Sequence, residues 1–302
     1  MTKAEIVVVG SYNLDVSICV ERLPEPGETC LSLGRLESPG GKGANQAIQA
    51  ALCGAATAMI AAVGDDAAGE AALACWASYG VSTQHVARLT ACGTGTAVIL
   101  VDAKGENAIV VDSAANARLE PTLVEAAADL IAGARVVVAQ LETPVATTKR
   151  AFEIARAAGV ATLLNAAPAP EAIDAALLAL TDFLVVNETE GKALSGHDHP
   201  TAIGETLLGW VGKAVIVTLG REGAILFEHH RPPHRAPAFK VGVVDTTGAG
   251  DAFTGAFAAR WSRTGDTVSA LTFGLAAGSL ACTARGAIVS YNDAAAVAAL
   301  AG

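Results

Sequence analysis

The sequence predicts an α/β protein: a parallel sheet covered by helices on both faces, with a small separate β-sheet beside it. Three observations carry this. Short continuous apolar runs alternate with alanine-rich helical stretches along the 302 residues, the pattern of strands buried on both faces between crossover helices. Two places break the alternation with strand pairs that have no helix between them. No internal repeat or low-complexity linker divides the chain. One large domain over 1–302 is therefore expected, with the small sheet, a lid, built from excursions at about 12–37 and 93–113.

The elements follow in order. Ile6 to Val9 is an apolar run closed by Gly10 and reads as a buried strand. Leu14 to Val20 and Thr29 to Leu36 read as strands with no helix between them. Ala44 to Cys53 is helical, Thr57 to Val63 a strand, and Glu70 to Tyr79 a helix. Thr94 to Val101 and Ala108 to Asp112 flank Lys104-Gly105-Glu106, a hairpin signal. Helices over Pro121 to Ile131, Pro144 to Ala158, Glu171 to Leu180 and Glu188 to Ser195 then alternate with strands. Those strands are Val136 to Ala139, Ala161 to Leu164, Phe183 to Val186 and Ala214 to Thr218. The last third holds helices over Ala252 to Trp261, Thr267 to Cys282 and Ala294 to Ala301. The small sheet would leave a face lacking helices, which a substrate or a partner subunit would cover.

Composition narrows the function classes. The chain is 52% apolar, 17% charged and 4% aromatic, too apolar to be disordered. A net charge of −10 argues against binding nucleic acid or an anionic membrane over a broad surface. It leaves room for a local anion site, because helix N-termini hold phosphate with backbone N–H groups. No stretch reaches the roughly 20 apolar residues of a spanning helix. The densest, Leu271 to Cys282, is interrupted by Gly274, Gly278 and Ser279 and followed by Arg285. The apolar run in MTKAEIVVVG is too short for a signal-peptide core. Cys19, Cys30, Cys53, Cys75, Cys92 and Cys282 form no CxxC pair, so neither a disulfide framework nor a zinc site fits, and a reducing cytoplasm is expected. His197, His199, His229, His230 and His234 sit in loop-like segments without metal-ligand spacing.

Two segments carry chemistry. Pro39-Gly40-Gly41-Lys42-Gly43-Ala44-Asn45-Gln46-Ala47 opens a helix with glycines that let backbone approach a ligand. It is no P-loop, since Gly43 stands where Ser or Thr would bind magnesium. Asp245-Thr246-Thr247-Gly248-Ala249-Gly250-Asp251-Ala252-Phe253-Thr254-Gly255-Ala256 leads from a strand through a small-residue turn into a helix. The N–H groups of Gly248, Ala249, Gly250 and Asp251 have no intrahelical partner and form an anion hole. A carboxylate beside such a hole repels phosphate as a ligand. Asp251 instead suits a general base that takes a proton from an alcohol attacking phosphorus.

GGKGANQA and DTTGAGDAFTGAF resemble the two signature segments of the PfkB carbohydrate kinase family, in its ribokinase branch, and the resemblance runs from Val7 to about Ser290. It implies a Rossmann-like α/β domain with a β-sheet lid and ATP-dependent phosphorylation of a sugar hydroxyl. By the same resemblance Asn13, Asp15, Gly41, Lys42, Asn45 and Glu142 bind the sugar, and Asn187, Thr218, Gly220, Gly223 and Gly250 bind ATP. Glu190 organises Mg²⁺ through water. Asp245, Thr247, Ala281, Ala284, Gly286 and Ser290 hold a monovalent cation, K⁺. A homodimer through the lid is implied as well. Ala166 stands where the family's Asn-Pro-Ala-Pro segment has its first proline, so a looser loop is expected. Tyr12 is bulky for its segment and would narrow the pocket.

Within the family D-ribose, phosphorylated at O5, fits best. Gly105-Glu106-Asn107 and Ala114-Ala115-Asn116-Ala117 resemble lid segments of that branch. Deoxyribose, fructose or a nucleoside are the alternatives. A non-catalytic sugar-binding regulator would have lost the base, the anion hole or Asn-x-x-Glu, all present here. A nucleotide-dependent dehydrogenase needs GxGxxG after the first strand, and Gly10-Ser11-Tyr12-Asn13 lacks it.

Overall fold

Buried apolar runs set the order of the elements in the computed structural model, which describes residues 3–169 and 172–302. Glu171, the first residue of one expected helix, lies outside the described residues. β1 (Ile6–Val9) is buried along its length. The chain leaves the main layer in β2 (Asn13–Cys19) and β3 (Gly34–Gly40) and returns in α1 (Lys42–Leu52). β4 (Thr57–Gly64), α2 (Ala67–Ser78) and β5 (Ser82–Leu89) make a parallel crossover. A second excursion forms the hairpin β6 (Thr96–Val101) and β7 (Asn107–Asp112). Short helices α3 (Pro121–Glu125) and α4 (Ala128–Gly133) lead to β8 (Val136–Ala139), α5 (Val145–Ala157) and β9 (Ala161–Asn165). Then come α6 (Ala175–Ala179), β10 (Phe183–Asn187), α7 (Glu188–Ser195), α8 (Pro200–Leu208) and β11 (Ala214–Thr218). β12 (Ala224–Glu228) and β13 (His234–Ala236) precede α9 (Ala249–Thr264), α10 (Thr267–Ala281) and α11 (Ala294–Ala301).

The main sheet has nine strands in the order β13-β12-β11-β10-β9-β8-β1-β4-β5, and the small sheet four, β3-β2-β6-β7. Side chains alternate across the main sheet, so Ile6 and Val8 join one apolar cluster with Met59, Phe253 and Phe257. Val7 and Val9 join the other with Ile60, Phe152 and Leu164. No helix of the described residues is long and apolar enough to cross a bilayer.

The structure departs from the sequence expectation in several places. The sheet is mixed, since β12 pairs antiparallel with β11 and β13 with β12. The connection from Thr218 to Ala224 is far too short for a parallel crossover, which takes a dozen residues or more. β5 is an additional edge strand whose polar Thr83, Gln84 and His85 hide it from a hydrophobic pattern. The second lid strand runs over Gly34–Gly40, so most of the predicted Thr29 to Leu36 lies before it. Pro39 ends the apolar pattern but is tolerated because β3 is an edge strand. The helix expected over 121–131 splits at Ala126 and Ala127, which turns Val124, Ala127 and Ile131 into one core cluster. α6 starts late because the Asp174 side chain accepts the Ala176 N–H at 2.8 Å.

α1 and α9 bring the two chemical segments together. Gly255 makes this approach possible: a Cβ there would stand 3.0 Å from Gln49 Cβ and 3.1 Å from the Ala50 nitrogen.

Candidate active site

The start of α1 is the hub of a polar cluster. Gly41 caps the helix at φ 89°, a left-handed conformation that glycine adopts without strain. The backbone N–H of Lys42 donates to Glu142 Oε2 at 2.9 Å. Ser11 Oγ donates to the same oxygen and accepts the Gly43 N–H at 3.2 Å. On the neighbouring strand, Asn13 Oδ1 accepts from Asn116 Nδ2 at 2.9 Å. Asp15 lies against Gly40, and its pKa is pushed up to about 7 by burial and by the charges of Glu142 and Asp251. Burial pulls the Lys42 ammonium down, but Asp251, Glu142 and Glu190 outweigh it and hold its pKa above the ordinary value. Acids and base of the two predicted groups thus share one electrostatic field.

A cavity of about 200 Å³ adjoins this cluster, walled by Lys42, Asn165, Asn187, Glu190, Thr218, Gly248, Gly250 and Asp251 among others. Asn165, Asn187 and Thr218 are the C-terminal residues of β9, β10 and β11, where open α/β sheets bind ligands, and Lys42, Glu190, Gly248, Gly250 and Asp251 come from the heads of α1, α7 and α9. Asp251 is 6% exposed and sits in the first turn of α9. Its Oδ2 accepts from Asn45 Nδ2 and its Oδ1 from Gln46 Nε2, both at 2.9 Å. The Ala249 N–H turns back to the Thr246 carbonyl at 3.2 Å. That removes it from the predicted anion hole and leaves the N–H groups of Gly248, Gly250 and Asp251 as first-turn donors.

Asn187 and Glu190 form a reciprocal capping box at the head of α7. Asn187 Oδ1 accepts the Glu190 N–H at 2.8 Å, and Glu190 Oε2 accepts the Asn187 N–H at 2.9 Å. Burial pushes Glu190 above the usual carboxylate range, against the Asn187 N–H and the Lys42 charge that lower it. Thr218 Oγ1 donates to the Val186 carbonyl at 3.3 Å. Gly220 (φ 52°) and Gly223 (φ 97°) build the tight turn beyond it and are not in the cavity wall.

The segment before α9 is laced to the one after α10. Asp245 Oδ1 accepts from the Thr247 N–H at 3.0 Å and hydroxyl at 2.7 Å, and its Oδ2 from the Gly286 N–H at 2.8 Å. Burial raises the Asp245 pKa, but these N–H donors outweigh it and hold the acid below its ordinary value. Ala281 is the buried last residue of α10, Ala284 is exposed in the following loop, and Ser290 Oγ donates to the Ala287 carbonyl at 2.7 Å. Asp245, Thr247 and Gly286 are in direct contact; hydrogen bonds do not tie Ala281, Ala284 or Ser290 to them.

Two expectations are corrected here. Tyr12 does not narrow the pocket: its ring is buried in the core and packs edge-on against Trp76, 5.4 Å between centroids. Its backbone is held by Asn116, which accepts the Tyr12 N–H at 3.1 Å and donates to its carbonyl at 2.8 Å. Nor is the Ala166 loop loose. The Ala166 N–H donates to the Val185 carbonyl at 3.0 Å, a bond proline cannot make. Sequence reasoning left Ser11, Gln46, Asn116, Gln140 and Tyr291 without roles. Tyr291 Oη donates to the Gly248 carbonyl at 3.0 Å and so pins the turn before α9. Gln46 lies inside the GGKGANQA segment, and Gln140 stands two residues before Glu142. Their signal was a neutral amide among residues that otherwise read as core.

The chain resembles known proteins along almost its full length. Residues 3–294 match the description "pfkB family carbohydrate kinase". A ribokinase of Staphylococcus aureus is 39% identical over 293 residues, covering 95% of this chain and 96% of the relative. A deoxyribokinase of Salmonella typhi is 34% identical over 298 residues, covering 95% of each. The solved structure of Arabidopsis thaliana ribokinase complexed with ribose and ATP superposes with a TM-score of 0.94 at 32% identity, covering 99% of both chains. A match over nearly the whole sequence, on the same two-sheet fold, shows that the chain belongs to the pfkB family of carbohydrate kinases, phosphotransferases with an alcohol acceptor.

Proposed function

We propose that the protein transfers the γ-phosphoryl group of ATP to a pentose, with D-ribose at O5 as the first choice. The observation that carries this is Asp251: a carboxylate buried at the first turn of α9, beside N–H donors, and joined through Asn45 to the head of α1, whose Lys42 N–H is bound by Glu142. Asp251 takes the proton of the acceptor hydroxyl as its oxygen attacks the γ-phosphorus. The N–H groups of Gly248, Gly250 and Asp251 and the Lys42 ammonium stabilise charge on the transferred group. Asn13, Asp15, Asn45, Glu142 and the Gly41 turn orient the sugar, since carboxylates and amides pair with vicinal hydroxyls. Asn187, Thr218, Gly220 and Gly223 shape the nucleotide side.

Glu190 suits Mg²⁺ held through water, because it is a buried carboxylate on the cavity wall facing Lys42. The metal would neutralise phosphate oxygens. The Asp245, Thr247 and Gly286 lattice, with carbonyls near Ala281, Ala284 and Ser290, suits K⁺, since Asp245 stays ionised there. The small sheet would act as the lid. Its register puts Leu36, Ile99, Ile109 and Val111 on the same face as Asp15. Leu36, Ile109 and Val111 are 67%, 56% and 51% exposed, a surface that a second copy of the chain would cover in a homodimer. All six cysteines are free thiols, which suits a reducing cytoplasm.

The deoxyribokinase relative keeps deoxyribose as a second reading. An ATP-consumption assay over ribose, deoxyribose, fructose and nucleosides, with and without K⁺, tests the proposal. Ribose should give the highest kcat/KM, with activity raised by K⁺. Turnover only with a nucleoside would overturn the pentose assignment.

A further inference from the structure

We propose that Gln140, Gln46 and Asn165 form a polarised amide chain that holds Oδ1 of Asp251 and reserves Oδ2 for the acceptor hydroxyl. The inference rests on the reading of Asp251 as the base.

The direction of the chain is fixed from its ends. The Val185 carbonyl only accepts, so the Asn165 amide presents Nδ2 to it, at 3.3 Å. Asn165 Oδ1 therefore faces Gln46 and accepts from Gln46 Nε2 at 3.0 Å. The other hydrogen of that same amide goes to Asp251 Oδ1 at 2.9 Å, which as a carboxylate oxygen also only accepts. Gln46 Oε1 is left needing a donor, and Gln140 Nε2 supplies it at 2.6 Å. Gln46, Gln140, Asn165 and Asp251 are 0%, 1%, 7% and 6% exposed, so bulk water does not substitute for a lost partner.

The two oxygens of the base are consequently unequal. A donor aimed at Oδ1 disfavours a proton there. Among the described residues Oδ2 accepts only from Asn45 Nδ2, and Asn45 Oδ1 is buried without a partner. Asn45 is thus incompletely bonded until a hydroxyl arrives, and it stands where that hydroxyl would bind. When the sugar O–H takes this place, its proton passes to Oδ2. Its oxygen bonds the γ-phosphorus as the bond from that phosphorus to the leaving oxygen of ADP breaks. Gln46 and Gln140 touch neither sugar nor nucleotide in this arrangement. They are positioning residues.

Gln46→Met and Gln140→Met keep side-chain bulk and remove the amides. Misaiming a catalytic group costs up to about 10²-fold. Gln46→Met should lower kcat by roughly 10- to 100-fold while the sugar KM stays within about twofold, the mark of an interaction used in the transition state. Gln140→Met should lower kcat less, in the same pattern. The double variant should be no slower than Gln46→Met, because Gln140 acts through Gln46. Asp251→Asn is the control for the base itself and should lose about 10²–10⁴ in turnover. Retained turnover in that variant removes the base reading and this inference together. A loss there, with Gln46→Met turning over normally, overturns the chain alone. So do losses in the two glutamine variants that multiply, or a sugar KM that rises as far as kcat falls. If Gln46→Met does not fold, Gln140→Met decides: unchanged kcat overturns the chain.

Discussion

Asp15 is an acid whose charge is set by its surroundings. Burial, Glu142 and Asp251 push its pKa up to about 7 from an ordinary 3.8. A folded-state pKa above the unfolded one means stability fully present below about pH 4 and lost as pH rises through about 7. The ligand-free enzyme should therefore melt lower at pH 8 than at pH 5, by about 3 °C or more. Asp15→Asn should flatten that slope and melt higher than the parent at pH 8. Scanning calorimetry at the two pH values checks it, and parallel slopes for parent and variant would sink the idea. The segments that carry Lys42, Asn45, Asp251 and Glu142 were readable in the sequence because they are long and ordered, and the structure brings these four residues together. Tyr12 was not readable. It lies in the irregular link between β1 and β2, where no period says which side a ring faces. Nor was the polarity of Gln46, since an amide acquires direction only from neighbours that are distant in sequence.

Two readings of one element coincide at α7. Asn-x-x-Glu is a phosphate-side motif of the family and also the pattern of a helix cap, and the structure makes the cap real at Asn187 and Glu190. The same hydrogen bonds that start the helix hold Glu190 on the cavity wall. Asn187→Ala should cost about 1 kcal/mol, typical for a lost cap. It should also raise the Mg²⁺ concentration needed for half-maximal activity several-fold. Thermal unfolding together with a Mg²⁺ titration reads both, and an unchanged midpoint in each would refute the linkage. Elements with strong apolar runs, such as β1, β8 and β11, came out of the sequence with their bounds. Elements at edges did not. β5 is polar because one flank lacks a neighbour, and β13 is three residues long. β12 was missed because the turn before it was read only as a binding loop.

At the scale of the molecule, the two sheets divide the labour. On the proposed function the large one would present strand ends to the nucleotide, and the small one would bring Asp15 to the sugar, with exposed aliphatic side chains on the same face. If that face pairs with its copy, Ile109→Lys combined with Val111→Lys should turn a dimer into a monomer by light scattering at micromolar concentration. The sugar KM should rise with it. A parent that is already monomeric under those conditions would count against the pairing. The division into layers was legible from the broken alternation of helix and strand. The mixed edge was not, because hairpin and crossover differ in connection length rather than in apolar pattern. Gly255 has a wider consequence. The gap between α1 and α9 is metered by a missing carbon, so on the proposed function the separation of sugar and phosphoryl donor would be set by a residue that touches neither. A lineage exploring new acceptors is free to remake the side chains around the pocket. It does not have the same freedom at that glycine, where the smallest enlargement would spread both halves of the site at once.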